Sequence, residues 1–344
     1  MKILIQGVLL GGKTQDIFID NGVVTEISEK CLQKADKIIS GKNKAALPAF
    51  INGHTHAAMT LFRGYADDMP LKNWLEEKIW PLEAAMTGED VYWGAKLACL
   101  EMIKNGITAF NDMYWHWEAT AQAAMEMGMR GFVSAVFIDM FDGRKSSEQI
   151  EHNIHLFEIA KKYKPHATFT FGPHAIYTVS RESLEWMREF SAKEDVLIHM
   201  HLAETEEETI FSREKYGLSP VEFLDSVGVL GNRFIGCHGC VLDEKDCSIL
   251  KKRGSNLVHM PVSNLKLAVE RMFPYSLVQE KGIPFCFGTD GCASNNHLDL
   301  IETMKFASLL AKFSTHDPTM MAAKETFDLA TKSAAGIFRL GDWE

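Results

Sequence analysis

A chain of 344 residues, 46% hydrophobic and 24% charged, can bury a large core, either as one α/β barrel or as two smaller domains. Its formal net charge of -10 and lack of any basic stripe argue against a nucleic-acid partner, because backbone phosphates are bound by clustered Lys and Arg. Seven scattered cysteines make no disulfide framework, and no apolar run reaches the roughly 18 residues of a membrane span, so a soluble cytoplasmic protein with no membrane partner is expected.

The N-terminal stretch KILIQGVLL is interrupted by Gln6 and Gly7 too early for a secretory signal and reads as a strand. DIFIDNGVVTEIS follows, with Asn21-Gly22 as a hairpin turn, and then KIISG. Residues 1–47 therefore predict a small β domain. From residue 48 to 344 the pattern becomes apolar β-rich runs alternating with amphipathic helical stretches, which implies parallel strands joined by helical crossovers.

Eight such strands lie near AFINGHTH, ITAFNDM, RGFVSAVF, ATFTFGPH, VLIHMHLAE, RFIGCHG, NLVHMP and IPFCFGTDG. The helical stretches include EDVYWGAKLACLEMIKNG, SSEQIEHNIHLFEIAKKY and RESLEWMREFSAKE, with apolar residues at three- and four-residue steps. Eight βα units closing on themselves make a TIM (β/α)8 barrel, whose chemistry sits beyond the C-terminal ends of its strands.

Ionisable residues gather at those ends: His54 and His56, Asp112, His174, His201 and Glu204, His238, and Asp290. In a strand, side chains at i and i+2 share a face, so His54 and His56 converge on one point, as the first two ligands of a metal site would. Asp112 serves equally well as a helix cap or as a site residue. His199, two residues before His201, reads as a hydrogen-bonded core histidine. Cys237 and Cys240 have no second Cys pair to complete a structural zinc site.

Taken together, H-T-H at the first strand, H-x-x-E at the fifth, His at the sixth and T-D-G at the eighth resemble the amidohydrolase superfamily. HTHAAMTLFRGYADDMPLKNWLEEKIWPLE, FGPHAIYT, HMHLAET, CHGCVL, MPVSNLKLA and GTDGCASNN resemble, more narrowly, its deaminases of S-adenosylhomocysteine and 5'-methylthioadenosine. The resemblance implies one Zn(2+), with iron or manganese as alternatives, held by His54, His56, His201 and Asp290. A carboxylated lysine at the fourth strand, which two-metal members carry, is replaced here by His174.

In the mechanism so implied, Asp290 takes a proton from the attacking water, Glu204 carries one to the purine ring nitrogen, and His238 hydrogen-bonds the developing oxygen. Trp74 would line the pocket, Glu83 would accept from the ribose hydroxyls, and His174 would contact the purine. Trp80 reads instead as the apolar face of a helix, and Glu206, Glu207 and Glu208 as solvated charges at a helix N-terminus.

Two departures from the family pattern stand out. Of the arginines that would hold an amino-acid carboxylate, Arg144 matches one and Ala135 stands where a second is found, which tilts the preference towards methylthioadenosine or adenosine. The chain also ends at GIFRLGDWE, where family members add strands that complete the N-terminal domain, so residues 1–47 are expected to form half of a β-sandwich with open edges that a homo-oligomer could cover.

The function expected is hydrolytic deamination of an adenosine derivative, a small-molecule nucleoside, with an aminohydrolase or chlorohydrolase of guanine or a triazine as the alternative. A non-catalytic binding protein would show a broken ligand set, and here the set is complete. The H-x-E and P-C-x-x-C signature of the other zinc deaminases is absent.

Overall fold

The computed structural model describes residues 1–341, which contain two compact units, Met1–Ala49 and a second beginning at Phe50. In the first, β1 (Lys2–Leu10), β2 (Lys13–Asp20), β3 (Val23–Ser28) and β4 (Lys37–Ser40) form one four-stranded sheet in the order β3-β2-β1-β4. The β2–β3 turn places Asn21 at φ 49° and Gly22 at φ 85°, the doubly left-handed geometry whose twist matches that of the flanking strands. Leu4, Phe18 and Cys31 form its small core.

The second unit is an eight-stranded parallel sheet whose strands neighbour one another in chain order. They are β5 (Phe50–Thr55), β6 (Ile107–Tyr114), β7 (Arg130–Phe137), β8 (Ala167–Pro173), β9 (Ile198–Leu202), β10 (Phe234–His238), β11 (Asn256–His259) and β12 (Phe285–Phe287). All eight of the expected strands are present. Parallel strands covered by helices are buried on both faces, which is why they read as continuous apolar runs. Inside, Ile51, Ala109, Ile235, Val258 and Cys286 pack with Ala334, Ile337 and Phe338 near the chain's end.

Helix boundaries follow local chemistry. Thr87 and Asp90 form a capping box at the start of the Gly88–Lys104 helix, Ser180 caps Arg181–Glu194, and Thr205 caps Glu206–Tyr216. No helix among the described residues is long and apolar enough to cross a membrane.

The first and eighth strands meet through a ladder that mixes backbone and side chains. The His54 carbonyl accepts from both Thr289 N–H (3.1 Å) and Asp290 N–H (3.0 Å). Asn52 donates to Thr289 Oγ1 at 2.7 Å and accepts from Thr289 N–H at 3.0 Å, while Thr55 Oγ1 donates to the Asp290 carbonyl at 2.9 Å. Gly288 lets the strands approach this closely, since a Cβ there would sit 2.8 Å from the His54 nitrogen and 2.9 Å from its carbonyl oxygen. Gly288→Ala is therefore expected to destabilise the fold by roughly 1–3 kcal/mol, the usual cost of overpacking. Chemical denaturation checks this, and an unchanged midpoint would show that the junction yields freely.

Candidate metal centre and adjoining cleft

Alternation along β5 places His54 and His56 with ring centroids 4.8 Å apart. His201, from β9, stands 5.1 Å from His54 and 5.5 Å from His56, ring to ring. Asp290, just beyond β12, brings Oδ1 to 3.4 Å from His54 Nε2 and 3.2 Å from His56 Nε2. Ligand atoms of His54, His56 and Asp290 lie within 4.8 Å of one another, and so do those of His54, His201 and His238.

The second nitrogen of each ring decides where the first one points. His56 Nδ1 donates to the Met113 carbonyl at 2.7 Å and His201 Nδ1 to the His174 carbonyl at 2.9 Å, so in the neutral form of each ring it is Nε2 that carries the lone pair. His54 Nδ1 lies 2.7 Å from His199 Nε2, and His199 Nδ1 lies 3.0 Å from Ser134 Oγ. If His199 donates to the serine, its Nε2 is free to accept from His54. His199 is thus a fully buried partner of His54, and His54 Nε2 has no hydrogen-bond partner at all. A buried, unpartnered imidazole lone pair facing two further imidazoles and a carboxylate suits a cation of the zinc, iron or manganese type.

Asp290 adopts φ 62° and receives Gly291 N–H (2.8 Å), Ser263 Oγ (2.5 Å) and Ser294 Oγ (2.8 Å). Burial works against its ionised form, yet His54 and His56 hold its carboxyl well below the ordinary range. Burial also opposes a charged His56, but Asp290 outweighs it and holds that ring up at about 9, whereas burial takes His54 down to about 4. A metal would replace the proton that Asp290 otherwise keeps on His56.

His238 ends β10 at φ 73°, a strained position for a non-glycine residue. Its Nδ1 faces Asn264 Oδ1 at 2.9 Å, and the Asn264 amide is oriented by its donation to Cys240 Sγ at 3.0 Å. Cys240 and Cys237 therefore serve different rings, because Cys237 Sγ sits 3.0 Å from His199 Nε2.

Glu204 is buried, 3.6 Å from His238 Nδ1, and burial lifts its carboxyl above the ordinary range, with His238 pulling the other way. Asp112 acts as a cap, accepting the Ala57 N–H at 2.7 Å where the Ala57–Phe62 turn begins, and burial raises it to about 6. Glu208, expected to be a solvated charge, is buried instead. It accepts the N–H groups of Ala203 (3.1 Å) and Glu204 (3.0 Å), which stabilises the left-handed turn at Ala203, φ 48°, that presents Glu204.

The same strand ends floor a cleft lined by His56, Trp74, Glu83, His174, His201, Glu204, His238 and Asp290. Trp74 is fixed by donation from Nε1 to the Ala66 carbonyl at 3.0 Å. Glu83 accepts weakly from Trp115 Nε1 at 3.4 Å, and burial raises its carboxyl. His174, taken down to about 3 by burial, meets Thr178 Oγ1 through Nδ1 at 3.1 Å. A wider outer cavity shares Trp80, Glu83, Trp115 and Ile138 with the cleft and continues to Met140.

Two further expectations need correcting. Trp80 is half-buried and lines the cleft, because the wide π-helical turn at Trp74–Ile79 rotates it away from a simple helical face. Arg144 lines neither space: its side chain is 85% exposed and pairs with Glu148 one helical turn on. Tyr114, Trp115, Ile138 and Tyr177 also line the cleft and were not singled out in the sequence, since isolated apolar residues there are indistinguishable from core. Ser294, in the quoted GTDGCASNN segment, also lines the cleft and donates to Asp290 Oδ2 from the short helix Cys292–Asn295.

Removing the partner of His54 with His199→Leu should weaken metal binding by about 10- to 100-fold, read by competition with a chelator. Unchanged affinity would show that His54 needs no such support. Burial raises Glu208 to about 8 from 4.5, so between those values the folded chain keeps a proton that the unfolded chain has lost. The contribution of Glu208 to stability must then fall as pH rises through that window. Glu208→Gln should lose less unfolding free energy than the parent protein across it, and equal losses would refute the assignment.

The model of the amidohydrolase family matches residues 45–342. The chain is 46% identical to a 5'-deoxyadenosine deaminase of Methanoregula boonei, over 99% of this chain and 78% of that one. It is 44% identical to 5-methylthioadenosine/S-adenosylhomocysteine deaminase 1 of Archaeoglobus fulgidus, over 93% of this chain and 75% of that one. An adenosine deaminase from Xanthomonas campestris, solved with bound zinc, superposes with a TM-score of 0.92 at 32% identity, over 99% of this chain and 80% of that one. An atrazine chlorohydrolase from Arthrobacter aurescens shares the fold, with a TM-score of 0.88 at 21% identity over 97% and 82% of the two chains. With its metal-ligand geometry, its eight-stranded barrel and a family match over nearly the whole length, this chain belongs to the amidohydrolase family.

Proposed function

We propose that the protein is a metal-dependent deaminase that hydrolyses the C6 amino group of an adenosine derivative, giving the inosine derivative and ammonia. The observation that carries this reading is that ligand atoms of His54 gather with those of His56 and Asp290, and with those of His201 and His238, beneath a cleft whose lining includes His56, His201, Asp290, Trp74, Glu83, His174 and Glu204. The names of the relatives, deaminases of 5'-deoxyadenosine and of methylthioadenosine or S-adenosylhomocysteine, support the same substrate class.

His54, His56, His201 and Asp290 would hold one ion, for which zinc is our assignment, and it would supply hydroxide by lowering the pKa of water from 15.7 to about 7. Asp290 Oδ1 accepts the proton of the attacking water and passes it to the C6 amino group, which leaves as ammonia when the C6–N bond breaks. Glu204, whose buried carboxyl retains a proton more readily than usual, donates it to N1 of the purine, which localises the C6 double bond for attack. His238, anchored through Asn264, hydrogen-bonds the oxygen that develops at C6. Glu83 accepts from the ribose hydroxyls, Trp74 packs on the nucleoside, and His174 contacts the purine edge.

Arg144 pairs with Glu148 at the surface, and Trp80, Trp115, Ile138 and Met140 line the outer cavity. That setting favours an uncharged 5'-group, as in 5'-deoxyadenosine, methylthioadenosine or adenosine, over the amino-acid tail of S-adenosylhomocysteine. Ammonia release from these four nucleosides and from guanine, measured side by side with zinc-loaded protein, tests both statements. The uncharged derivatives should have the highest kcat/KM. Turnover of guanine alone would overturn the substrate class, and a lead for S-adenosylhomocysteine would overturn the 5'-preference.

A further inference from the structure

The Gly88–Lys104 helix buries Val91, Ala95, Ala98 and Met102. The opposite face of an outer helix is normally polar. Here Trp93 is 55% exposed, Leu97 45%, Leu100 48% and Ile103 41%. Asp90, Trp93, Leu97, Leu100 and Lys104 follow one another at alternating steps of three and four residues, the seam spacing of helices that pack side by side.

Charge along this seam is ordered. Glu89 and Asp90 stand at its N-terminal end and Lys104 at its C-terminal end, with only apolar side chains between them on the seam. Neither Glu89 nor Lys104 has an ion-pair partner among the described residues, while Asp90 is engaged with Thr87. A second copy of the helix laid parallel would set like charges together. Laid antiparallel about a two-fold axis at Leu97, it sets each Lys104 opposite the acidic end of its partner, because Asp90 and Lys104 lie equally far on either side of Leu97.

We propose that the chain forms a two-fold dimer through antiparallel pairing of this helix with its own copy. The seam is self-complementary in the order of its charges, which an unrelated partner would not require. Leu61, 47% exposed, widens the patch: its turn is fastened to the helix by Thr60 Oγ1 donating to the Gly94 carbonyl at 2.7 Å. At the usual interaxial distance of about 8–10 Å, Leu97 meets Leu97 of the copy.

Analytical ultracentrifugation of the full chain at micromolar concentration should show a dimer. Leu97→Glu, which sets two carboxylates face to face on the axis, should raise the dimer dissociation constant about 100-fold, the scale of a central hot spot, with the unfolding midpoint retained. Leu97→Cys supplies a second reading, since only a residue on the axis meets itself and all seven native cysteines are buried. Mild oxidation should convert it to a disulfide-linked dimer, whereas Leu309→Cys, exposed on the Leu300–Thr315 helix, should stay unlinked. A monomeric parent protein, a dimer untouched by Leu97→Glu, or equal cross-linking of the two cysteine variants would each overturn the proposal.

Discussion

The carbonyl of His54 is the point on which this structure turns. By accepting from two consecutive amides beyond β12, it joins the last strand of the barrel to the first and sets Asp290 against His54 and His56. Asn52 and Thr55 add side-chain bonds to Thr289 and to the Asp290 carbonyl across the same junction, so the fold and the candidate metal centre depend on one cluster of bonds. Gly288 is part of that dependence, because a side chain there would meet the backbone of His54 itself. The left-handed conformation of Asp290 is a strain that the donors around its carboxylate offset.

Around this junction the chain repeats one device. Each imidazole commits one nitrogen to a fixed partner so that the other is presented: His56 to the Met113 carbonyl, His201 to the His174 carbonyl, His54 to His199 and His238 to Asn264. Two of those partners are backbone carbonyls, which can only accept and so impose the tautomer outright. The other two are side chains whose own roles are set one step further out, by Ser134 for His199 and by Cys240 for Asn264. The carboxylates follow related logic. Glu208 shapes the backbone that carries Glu204, and Asp112 caps the turn that follows His56.

Much of this was legible in the sequence. The apolar runs of the eight strands, the Asn21-Gly22 hairpin and the polar residues at the strand ends are local patterns, set by side-chain alternation and turn chemistry. Expectations failed where residues of one type have several possible environments. Glu208 sits in an acidic stretch and looks solvated, but its distance from the Ala203 turn lets it reach two amides and be buried. Trp80 follows a π-helical turn, which shifts the helical phase on which its expected burial rested. Arg144 has the right residue type in the right segment, yet its helix carries it outward to Glu148.

The sequence by itself determined the eight strand-and-helix units and the convergence of His54 with His56, because both follow from periodicities of two and about 3.6 residues. It also supplied the identities of His201, Glu204, His238 and Asp290 and their places at strand ends. Only the tertiary structure decided which nitrogen each ring presents, which carboxylates are buried, and which aromatic residues wall the cleft. Those properties depend on partners such as His199 for His54, 145 positions away, or Asp290 for Thr55, 235 positions away, and no local pattern encodes a contact across such a separation.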